Sequence, residues 1–341
     1  MTEHQLEPTP DTTADVFARE IPPVLTVEPG DTVVVRSLDA AGFLERQQRP
    51  GDRPPVMYKA DRGHCLTGPI EVRGAAPGDV LAVRFAALHP ADWGWTVSAA
   101  RDTPLTRRLG LHESPPSWLL WEIDAAAGTA TSNYGHTVAI APFLGVTGVA
   151  WDEPGEYSTI PPRAVGGGNI DCRELVAGST LYLPVTVPGA LLSLGDGHAA
   201  QGDGEVAGTA IECGMTTQVQ LDLVTDPSVP GVHAETPAGR ITFGFSPGLN
   251  EAMGEALDAM LGWLQGLYQL DKAAALAVAS PVVDLRVTQV ANQAWGVHAV
   301  LPHGAIRRVD PGRGSGMANQ ATGNCFTLGP GRIPGPGRIP G

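Results

Sequence analysis

The stretch VLTVEPGDTVVVRSL at residues 24–38 decides the fold class. Its apolar, β-branched runs flank the turn Glu28-Pro29-Gly30-Asp31, which is the pattern of two strands joined by a tight connection. Short apolar runs separated by Gly and Pro turns recur at spacings of roughly 8–15 residues as far as residue 224. This regularity predicts a β-sandwich or a barrel.

The composition agrees with a turn-rich β-protein. The 341 residues include 43 glycines and 31 prolines with no strict period, which excludes collagen. Hydrophobic residues make up 43% of the chain, which is enough for a sizeable core and excludes a largely disordered protein.

The pattern changes after Ser246. Apolar residues recur at helical spacing from Leu249 to Tyr268 and predict an amphipathic helix. A shorter helix is predicted at residues 272–279, and the alternation at residues 283–288 predicts a strand. The sequence therefore predicts four segments: an N-terminal arm at 1–20, a β-rich body at 21–235, an α+β portion at 236–310, and a disordered low-complexity tail at 311–341, where GPGRIP occurs twice.

Charge, termini and cysteines exclude several classes of protein. The net charge of −14 argues against a nucleic-acid partner, because a phosphate-binding surface should be basic. The first residues lack the features of a secretory signal, and the two long charge-free stretches, 125–151 and 175–194, are broken by Pro and Gly, so no membrane span is expected. The four cysteines form no CxxC pair, which indicates reduced thiols and a cytoplasmic location.

The densest polar cluster is GDGHAAQGDGE at residues 195–205. Asp196 and His198 are two residues apart, so both side chains face one side of an extended chain. A turn at residues 201–204 could fold Glu205 back beside them. An Asp, a His and a Glu that converge can bind a divalent metal or share acid–base work. The alternative is an ordinary Asp-Gly turn next to a hydrogen-bonded histidine.

Two other clusters are candidates. In GGGNIDCRE at residues 166–174, Asn169 and Asp171 share a face while Cys172 points to the opposite one. The alternative there is a Gly-rich loop that caps its own backbone. In HCLTGP at residues 64–69, His64 precedes a turn and a strand and could face a site, although such histidines are more often structural.

The sequence has few lysines and lacks several motifs, and this argues against further classes of catalytic site. Lys59 and Lys272 are the only lysines, and neither lies in a polar, Gly-rich setting, so amidase sites that depend on a lysine are not supported. The GxSxG pattern of a nucleophile elbow and the glycine-rich nucleotide-binding patterns are absent. The remaining carboxylates, histidines and amides in glycine loops favour metal-assisted hydrolysis.

Three stretches carry a resemblance to a known family. They are HCLTGPIEVRGAAPGDVLAV from His64, APFLGVTGVA from Ala141, and the long block GNIDCRELVAGSTLYLPVTVPGALLSLGDGHAAQGDGEVAGTAIE at residues 168–212. Together with shorter matches, they make the chain resemble the acetamidase/formamidase family over about residues 20–303. The resemblance implies a jelly-roll-like β-sandwich with a smaller C-terminal α+β portion. It also implies hydrolysis of short aliphatic amides, formamide and acetamide, to ammonia and a carboxylic acid.

The leading hypothesis is therefore a metal-dependent amidase whose substrate is a small amide. Its predicted ligands for Zn²⁺ or Ca²⁺ are drawn from His64, Asp171, Asp196 and His198. Glu205 is predicted to accept a proton from water and pass it to the leaving amine. Asn169, together with Gln201, is predicted to hold the substrate amide.

Two alternatives to this chemistry remain, and one further prediction concerns assembly. A non-catalytic β-sandwich could bind a small ligand or Ca²⁺ through the glycine loops, or Cys172 could act as a thiol nucleophile. The amphipathic helix from Leu249 to Tyr268 has a broad apolar arc, which predicts a homodimer or higher homo-oligomer with Trp263 at the interface.

Overall fold

The computed structural model describes residues 1–59, 62–98, 102–225, 227 and 229–307. Residues Met1–Ala305 cluster as one unit, and only the first two residues of the second unit, Ile306–Gly341, are described. The predicted low-complexity tail at 311–341 lies outside the described residues.

Twenty-two strands and three helices occur in the described part of the chain. The strands are β1 (Glu3–Leu6), β2 (Thr13–Ala14), β3 (Val16–Phe17), β4 (Leu25–Val27), β5 (Thr32–Ser37), β6 (Leu66–Val72), β7 (Val80–Pro90), β8 (Trp93–Ser98), β9 (Ser117–Asp124), β10 (Thr129–Ser132), β11 (Thr137–Ala139), β12 (Phe143–Val149), β13 (Tyr157–Ser158), β14 (Gly167–Asn169), β15 (Thr180–Pro184), β16 (Leu192–His198), β17 (Glu212–Cys213), β18 (Met215–Val224), β19 (His233–Thr236), β20 (Gly239–Ser246), β21 (Asp284–Gln289) and β22 (Trp295–Pro302). The helices are α1 (Pro104–Arg108), α2 (Leu249–Tyr268) and α3 (Lys272–Ala279).

Two large sheets form the body. The first has nine strands in the order β1-β5-β18-β7-β15-β19-β20-β22-β21. The second has eleven, with the path β11-β10-β9-β8-β17-β16-β12-β14, and β6 joins it through β16. Most pairs are antiparallel, and strands such as β18 alternate buried with partly exposed residues. This alternation is the pattern of a sheet with one face on the core.

The two sheets share one hydrophobic core. Val83 and Leu181 of the first sheet belong to the same cluster of buried side chains as Leu144 and Leu194 of the second. Strands β12 and β16, which each pair with a strand on both sides, are buried along their whole length. The predicted mainly β fold, a sandwich with a smaller C-terminal α+β portion, is confirmed.

The N-terminal segment differs from the prediction of a loose arm at residues 1–20. Strand β1 pairs in parallel with β5, β2 pairs with β6, and β3 pairs with β13. Edge strands leave backbone groups unpaired, and this segment supplies partners for them. Its alternation is too short and too polar to be recognised as strand without that context.

The predicted boundary at residue 236 falls inside a hairpin. Strands β19 and β20 pair on either side of it and continue the first sheet towards β22 and β21. The α+β portion is thus an extension of the body, not a separate unit. None of the helices in the described residues is long and apolar enough to cross a membrane.

Helix α2 lies on this extension with Trp263 turned inwards. The Trp263 side chain is only 8% exposed, and its ring meets that of His233 edge-on at 5.1 Å. Thr242 Oγ1 on β20 donates a hydrogen bond to the carbonyl of Ala256 in the helix, 2.7 Å away. The prediction that Trp263 lies at a subunit interface is therefore wrong, because its own chain covers it.

Candidate active site

Four neighbouring strands of the second sheet bring the site together. Strand β16 carries Asp196 and His198, and its pairing with β17 sets Glu212 directly opposite His198. On the other side of β16, β12 pairs with β14, whose last residue is Asn169. Asp171 follows two residues later, so residues distant in sequence meet in the middle of the sheet.

The ionisable side chains at this point are packed within a few ångströms. His198 Nε2 lies 3.2 Å from Glu212 Oε2 and 3.5 Å from Asp196 Oδ1. Asp171 and Glu205 complete the group, since each offers an oxygen within 4.8 Å of a ring nitrogen of His198. We call these five buried residues, Asp171, Asp196, His198, Glu205 and Glu212, the cavity cluster.

Gly145 on β12 is what allows this packing. A Cβ at this position would come within 3.0 Å of Asp196 Oδ2, Asp171 Oδ1 and His198 Cε1. The carbonyl of Gly145 also accepts hydrogen bonds from the backbone N–H groups of Ile170 and Asp171. The absence of a side chain therefore leaves room for the acidic groups directly above the sheet.

Three acids of the cavity cluster have a left-handed backbone. The φ angles of Asp171, Asp196 and Glu205 are 53°, 59° and 43°, and these are three of the six non-glycine residues with positive φ in the described part of the chain. Such a conformation costs a non-glycine residue of order 1–3 kcal/mol and concentrates at functional sites. The fold therefore holds these carboxylates in place against a local preference.

Gln201 determines which nitrogen of His198 faces the acids. Its amide Nε2 donates to the carbonyl of Asp171 at 2.7 Å, so its Oε1 is the atom 3.0 Å from His198 Nδ1. An amide oxygen can only accept, which means that Nδ1 carries a proton and donates it. Nε2 is thereby directed at Asp196 and Glu212, either as a lone pair for a metal or as a second N–H.

Most polar atoms of the cavity cluster have no hydrogen-bond partner among the described residues. Buried and unpaired are both Asp171 oxygens, Asp196 Oδ1, His198 Nε2, Glu205 Oε2 and Glu212 Oε2. Buried polar atoms are nearly always paired, and buried charges are paired or bind metal ions. This concentration of exceptions in one place marks a functional site.

Burial and the charges of neighbouring groups shift the pKa values of the ionisable side chains in the cavity cluster. Burial raises the pKa of Asp171 and of Glu205 well above the usual range, and it raises the pKa of Glu212 to about 7. Burial opposes the ionised form of Asp196, but the charges of His64 and His198 outweigh it and lower its pKa. Burial alone would lower the pKa of His198, yet the charges of Glu212 and Asp196 raise it well above its usual value.

A cavity of about 360 Å³ opens onto the cluster. Its lining includes His64, Asn169 and Trp95, together with four acids of the cavity cluster. Asn169 Nδ2 donates to the carbonyl of Ile160 at 2.9 Å, while its Oδ1 is buried without a partner. Asn169 thus presents a free acceptor at the site, and Gln201 does not line the cavity.

The cysteines are poorly suited to act as nucleophiles. Cys65 lines the cavity, but burial raises the pKa of its thiol to about 12. Cys172 is completely buried in the core, its Sγ lies 3.3 Å from Glu174 Oε2, and it does not line the cavity. The thiol alternative therefore has no support in the geometry.

The predicted residues lie together, and one of them differs from its predicted role. Asp171, Asp196, His198 and Glu205 meet as expected, and His64 and Asn169 line the same cavity. Gln201, predicted to hold substrate, has both ends of its amide engaged and acts as a positioning residue.

Glu212 was missed, although an acid in the apolar run Ile211–Cys213 is itself unusual. Only the register of β16 and β17 shows that this acid faces His198.

Comparison with known proteins completes the description of the site. The sequence profile of the Acetamidase/Formamidase family matches residues 2–156 and 153–236. An acetamidase of Mycolicibacterium smegmatis is 27% identical over 265 residues, which cover 60% of this chain and 64% of the relative. A formamidase of Methylophilus methylotrophus is 26% identical over 258 residues, which cover 61% and 63%.

The chain spans less than two thirds of the length of the curated relatives that it matches. Among solved structures, an acetamidase of Bacillus halodurans superimposes with a TM-score of 0.78 at 25% identity. That superposition covers 87% of this chain and 97% of the other.

Proposed function

Because the chain belongs to the acetamidase/formamidase family, we propose that it hydrolyses short aliphatic amides such as formamide and acetamide to ammonia and the carboxylic acid. The observation that carries this proposal is the cavity cluster, in which unpaired buried acids border a cavity beside the free acceptor of Asn169. A module that only binds a ligand has no need for several acids whose pKa values are raised by burial.

The donor atoms of the cavity cluster fit a divalent metal ion. Four acids surround one imidazole, and the oxygens of two of them, Asp196 Oδ1 and Glu212 Oε2, lie closest to His198 Nε2. Ligand atoms around a tetrahedral zinc ion at ~2.0–2.1 Å would lie about 3.3 Å apart, close to the 3.2 and 3.5 Å from His198 Nε2 to Glu212 and Asp196.

We therefore propose Asp196, His198 and Glu212 as the ligands. Zinc is preferred to calcium because calcium takes oxygen ligands and this set includes an imidazole nitrogen. When bound, such an ion supplies a Lewis acid and lowers the pKa of a bound water. The sequence also predicted His64 and Asp171 as ligands. His64 lines the cavity but is not among the three proposed ligands, and Asp171 is assigned to proton transfer.

Asp171 and Glu205 suit proton transfer. They are adjacent acids, and burial raises the pKa of each. The charge of Asp171 raises the pKa of Glu205 further, while contact with the Glu205 carboxyl offsets part of the rise at Asp171. Two such acids share a proton more readily than both ionise. Glu205 accepts a proton from the attacking water as the new C–O bond forms. It then gives that proton to the nitrogen as the C–N bond breaks and ammonia leaves.

Asn169 orients the substrate. Its Nδ2 is occupied by the carbonyl of Ile160, so only Oδ1 is available to a ligand. An acceptor of this kind binds the N–H of an amide, and a primary amide has two such hydrogens. We infer a preference for amides that have at least one N–H over N,N-disubstituted amides. A pocket separates formamide from acetamide, which differ by one methyl group, by only about 1–3 kcal/mol.

Ammonia release from formamide and acetamide tests the proposal. The purified protein should release ammonia from both, should lose that activity after prolonged chelation, and should regain it when Zn²⁺ is returned. Full turnover by metal-free protein would remove the ion from the mechanism while leaving the amidase activity in place. No ammonia from either amide, with zinc bound, would contradict the proposed reaction itself.

Self-association and a cytoplasmic location stay predictions. With Trp263 buried, the exposed apolar side chains of Leu285 and Val287 are better candidates for an interface, because they lie on β21, the last strand of its sheet. A Leu285→Lys variant should lower the mass seen by light scattering. Leu44→Lys, which changes an exposed leucine elsewhere, should leave that mass unchanged.

A further inference from the structure

A second group of metal-binding side chains lies beside the cavity cluster and takes no part in the proposed reaction. Cys172 Sγ is 3.3 Å from Glu174 Oε2, which in turn is 3.4 Å from His298 Nε2. The three donor atoms all lie within 4.8 Å of one another. We call Cys172, Glu174 and His298 the thiol cluster.

The thiol cluster contains a completely buried nitrogen with no hydrogen-bond partner. His298 is 0% exposed, and its Nε2 makes no hydrogen bond within the residues that the structure describes. Its contact with Glu174 Oε2, at 3.4 Å, is within ion-pair distance but lacks hydrogen-bond geometry. A buried imidazole nitrogen left in this state is rare, and it points at the carboxylate and the thiol.

The outer atoms of the cluster are already engaged. His298 Nδ1 lies 2.8 Å from Thr288 Oγ1, and Arg286 Nη1 donates to Glu174 Oε1 at 2.8 Å. These contacts occupy the outer atoms, so His298 Nε2 and Glu174 Oε2 face each other, with Cys172 Sγ beside them. Ligands of metal ions in proteins are oriented by such outer hydrogen bonds.

From this geometry we propose that Cys172, Glu174 and His298 bind a second zinc ion. Zinc ligands at ~2.0–2.3 Å in tetrahedral arrangement lie about 3.3–3.6 Å apart, which agrees with the 3.3 and 3.4 Å observed. The mixture of sulfur, nitrogen and carboxylate donors suits zinc and excludes calcium and magnesium. The fourth position is left for water.

Binding at this site is coupled to one proton. Without an ion, the Cys172 S–H donates a hydrogen bond to Glu174 Oε2. When zinc binds, the sulfur–metal bond replaces the S–H bond and the proton passes to solvent. No oxidation or reduction is involved.

The second ion would link the two supports of the cavity cluster. Cys172 directly follows Asp171, and Thr288, which holds His298, accepts a hydrogen bond through its carbonyl from Gly204, the residue before Glu205. A metal that joins Cys172 to His298 therefore braces the chain segments that carry Asp171 and Glu205. The site is separate from the proposed active-site ion and does not depend on it.

Cobalt substitution of the full chain tests the proposal. Co²⁺ bound to a thiolate gives a sulfur-to-metal charge-transfer band in the near ultraviolet, and an ion held only by nitrogen and oxygen does not. Wild-type protein should show this band, and Cys172→Val should lose it together with one bound ion per chain. Cys65→Ala and Cys213→Val, matched changes of two other buried cysteines, should keep both.

A wild-type protein without the band, or a Cys172→Val variant that keeps it, would overturn the second site. Thr288→Val provides a second test in case Cys172→Val does not fold. It leaves all three proposed ligands in place and removes only the hydrogen-bond partner of His298 Nδ1. It should weaken Co²⁺ binding at the thiol cluster about 10–100-fold, and an unchanged affinity would contradict the proposal. Glu212→Gln should retain the band, so loss of the active-site ion and loss of this one are distinguishable.

Discussion

The cavity cluster and the thiol cluster meet at one peptide bond, between Asp171 and Cys172, yet their electrostatics are opposite. In the cavity cluster four acids face one imidazole, and burial raises the pKa of three of them. In the thiol cluster burial also works against the acid, but His298 and a hydrogen bond from Cys172 lower the pKa of Glu174 to about 2. Both are buried, so burial does not distinguish them.

The difference lies in the balance of charge. The thiol cluster has a cationic partner in Arg286, 2.8 Å from Glu174, and its acid is settled in the ionised form. The cavity cluster has more acids than partners, and this excess can be relieved only by protons or by a cation from outside. We therefore assign proton transfer to the cavity cluster, which has an excess of acids, and permanent metal binding to the thiol cluster, whose acid already has a cationic partner.

Among the variants that test this difference between the clusters, Glu205→Gln should have the largest effect on activity. The amide cannot accept a proton, so kcat for amide hydrolysis should fall by about 10²–10⁴-fold, while KM changes little. Steady-state ammonia release measures both constants. Asp203→Asn, an exposed acid in the same turn, should keep wild-type turnover. If Glu205→Gln turns over normally, proton transfer lies elsewhere, and a protein that binds amides without any turnover is the non-catalytic alternative.

Gly145→Ala should have the next largest effect. The added methyl group would press against Asp171, Asp196 and His198, and displacements of this kind cost about 10²-fold in turnover. Gly202→Ala is the matched control, because a Cβ there meets no atom within 4 Å. The thiolate-to-cobalt band should survive in Gly145→Ala, since the thiol cluster is not touched. Equal activity in the two variants would mean that close packing is not required.

Gln201→Leu should act more weakly and through His198. Without the Gln201 oxygen as acceptor, the proton of the imidazole is no longer held on Nδ1. Loss of an outer hydrogen-bond partner of this kind lowers metal affinity or activity by about 10–100-fold. Gln201→Glu keeps an acceptor for Nδ1 and should restore part of the activity. The comparison of kcat and zinc affinity between the two variants is the measurement. A Glu variant no better than Leu would argue for a purely structural role.

Asp39 is a buried acid outside the two clusters, and a change there should affect the stability of the fold. Both its oxygens accept hydrogen bonds, from Trp95 Nε1 and from the N–H of Phe43, yet burial raises its pKa from 3.8 to about 6. An acid with a raised pKa stabilises the fold while protonated, so its contribution is full below pH 3.8 and is lost as the pH rises to about 6.

That loss amounts to about 3 kcal/mol. The free energy of unfolding, measured by urea titration between pH 4 and pH 7, should therefore fall less steeply in Asp39→Asn than in the wild type. The exposed Asp222→Asn should follow the wild type. Parallel curves for Asp39→Asn and the wild type would show that this carboxyl is ionised in both states.

Much of this architecture was predictable from local pattern. The turn at residues 28–31 and the helix from Leu249 to Tyr268 are set by residues close in sequence, and both agree with the structure. The pairing of β1 with β5 and the burial of Trp263 depend on partners far along the chain. Local periodicity contains no information about such partners, and there the predictions were wrong.

The candidate site shows the same division. Asp196 and His198 could be recognised because they are two residues apart on one strand, and Asp171 because it shares a loop with Asn169. Glu212 could not, because its place opposite His198 follows from strand register alone. The thiol cluster joins residues 172, 174 and 298, a separation that no spacing pattern bridges. Metal dependence, the oligomeric state and the cytoplasmic location stay predictions.

The left-handed backbone of Asp171, Asp196 and Glu205 has a consequence for anyone who tries to improve this protein. Gly accepts that conformation without strain, and Asn and Asp tolerate it better than most other residues. A screen for heat tolerance alone should therefore enrich Gly at these three codons, and sequencing of the survivors would reveal it. Each such gain would remove a carboxylate. At these positions a gain in thermal stability is expected to lower turnover, so selection for stability must be combined with selection for activity.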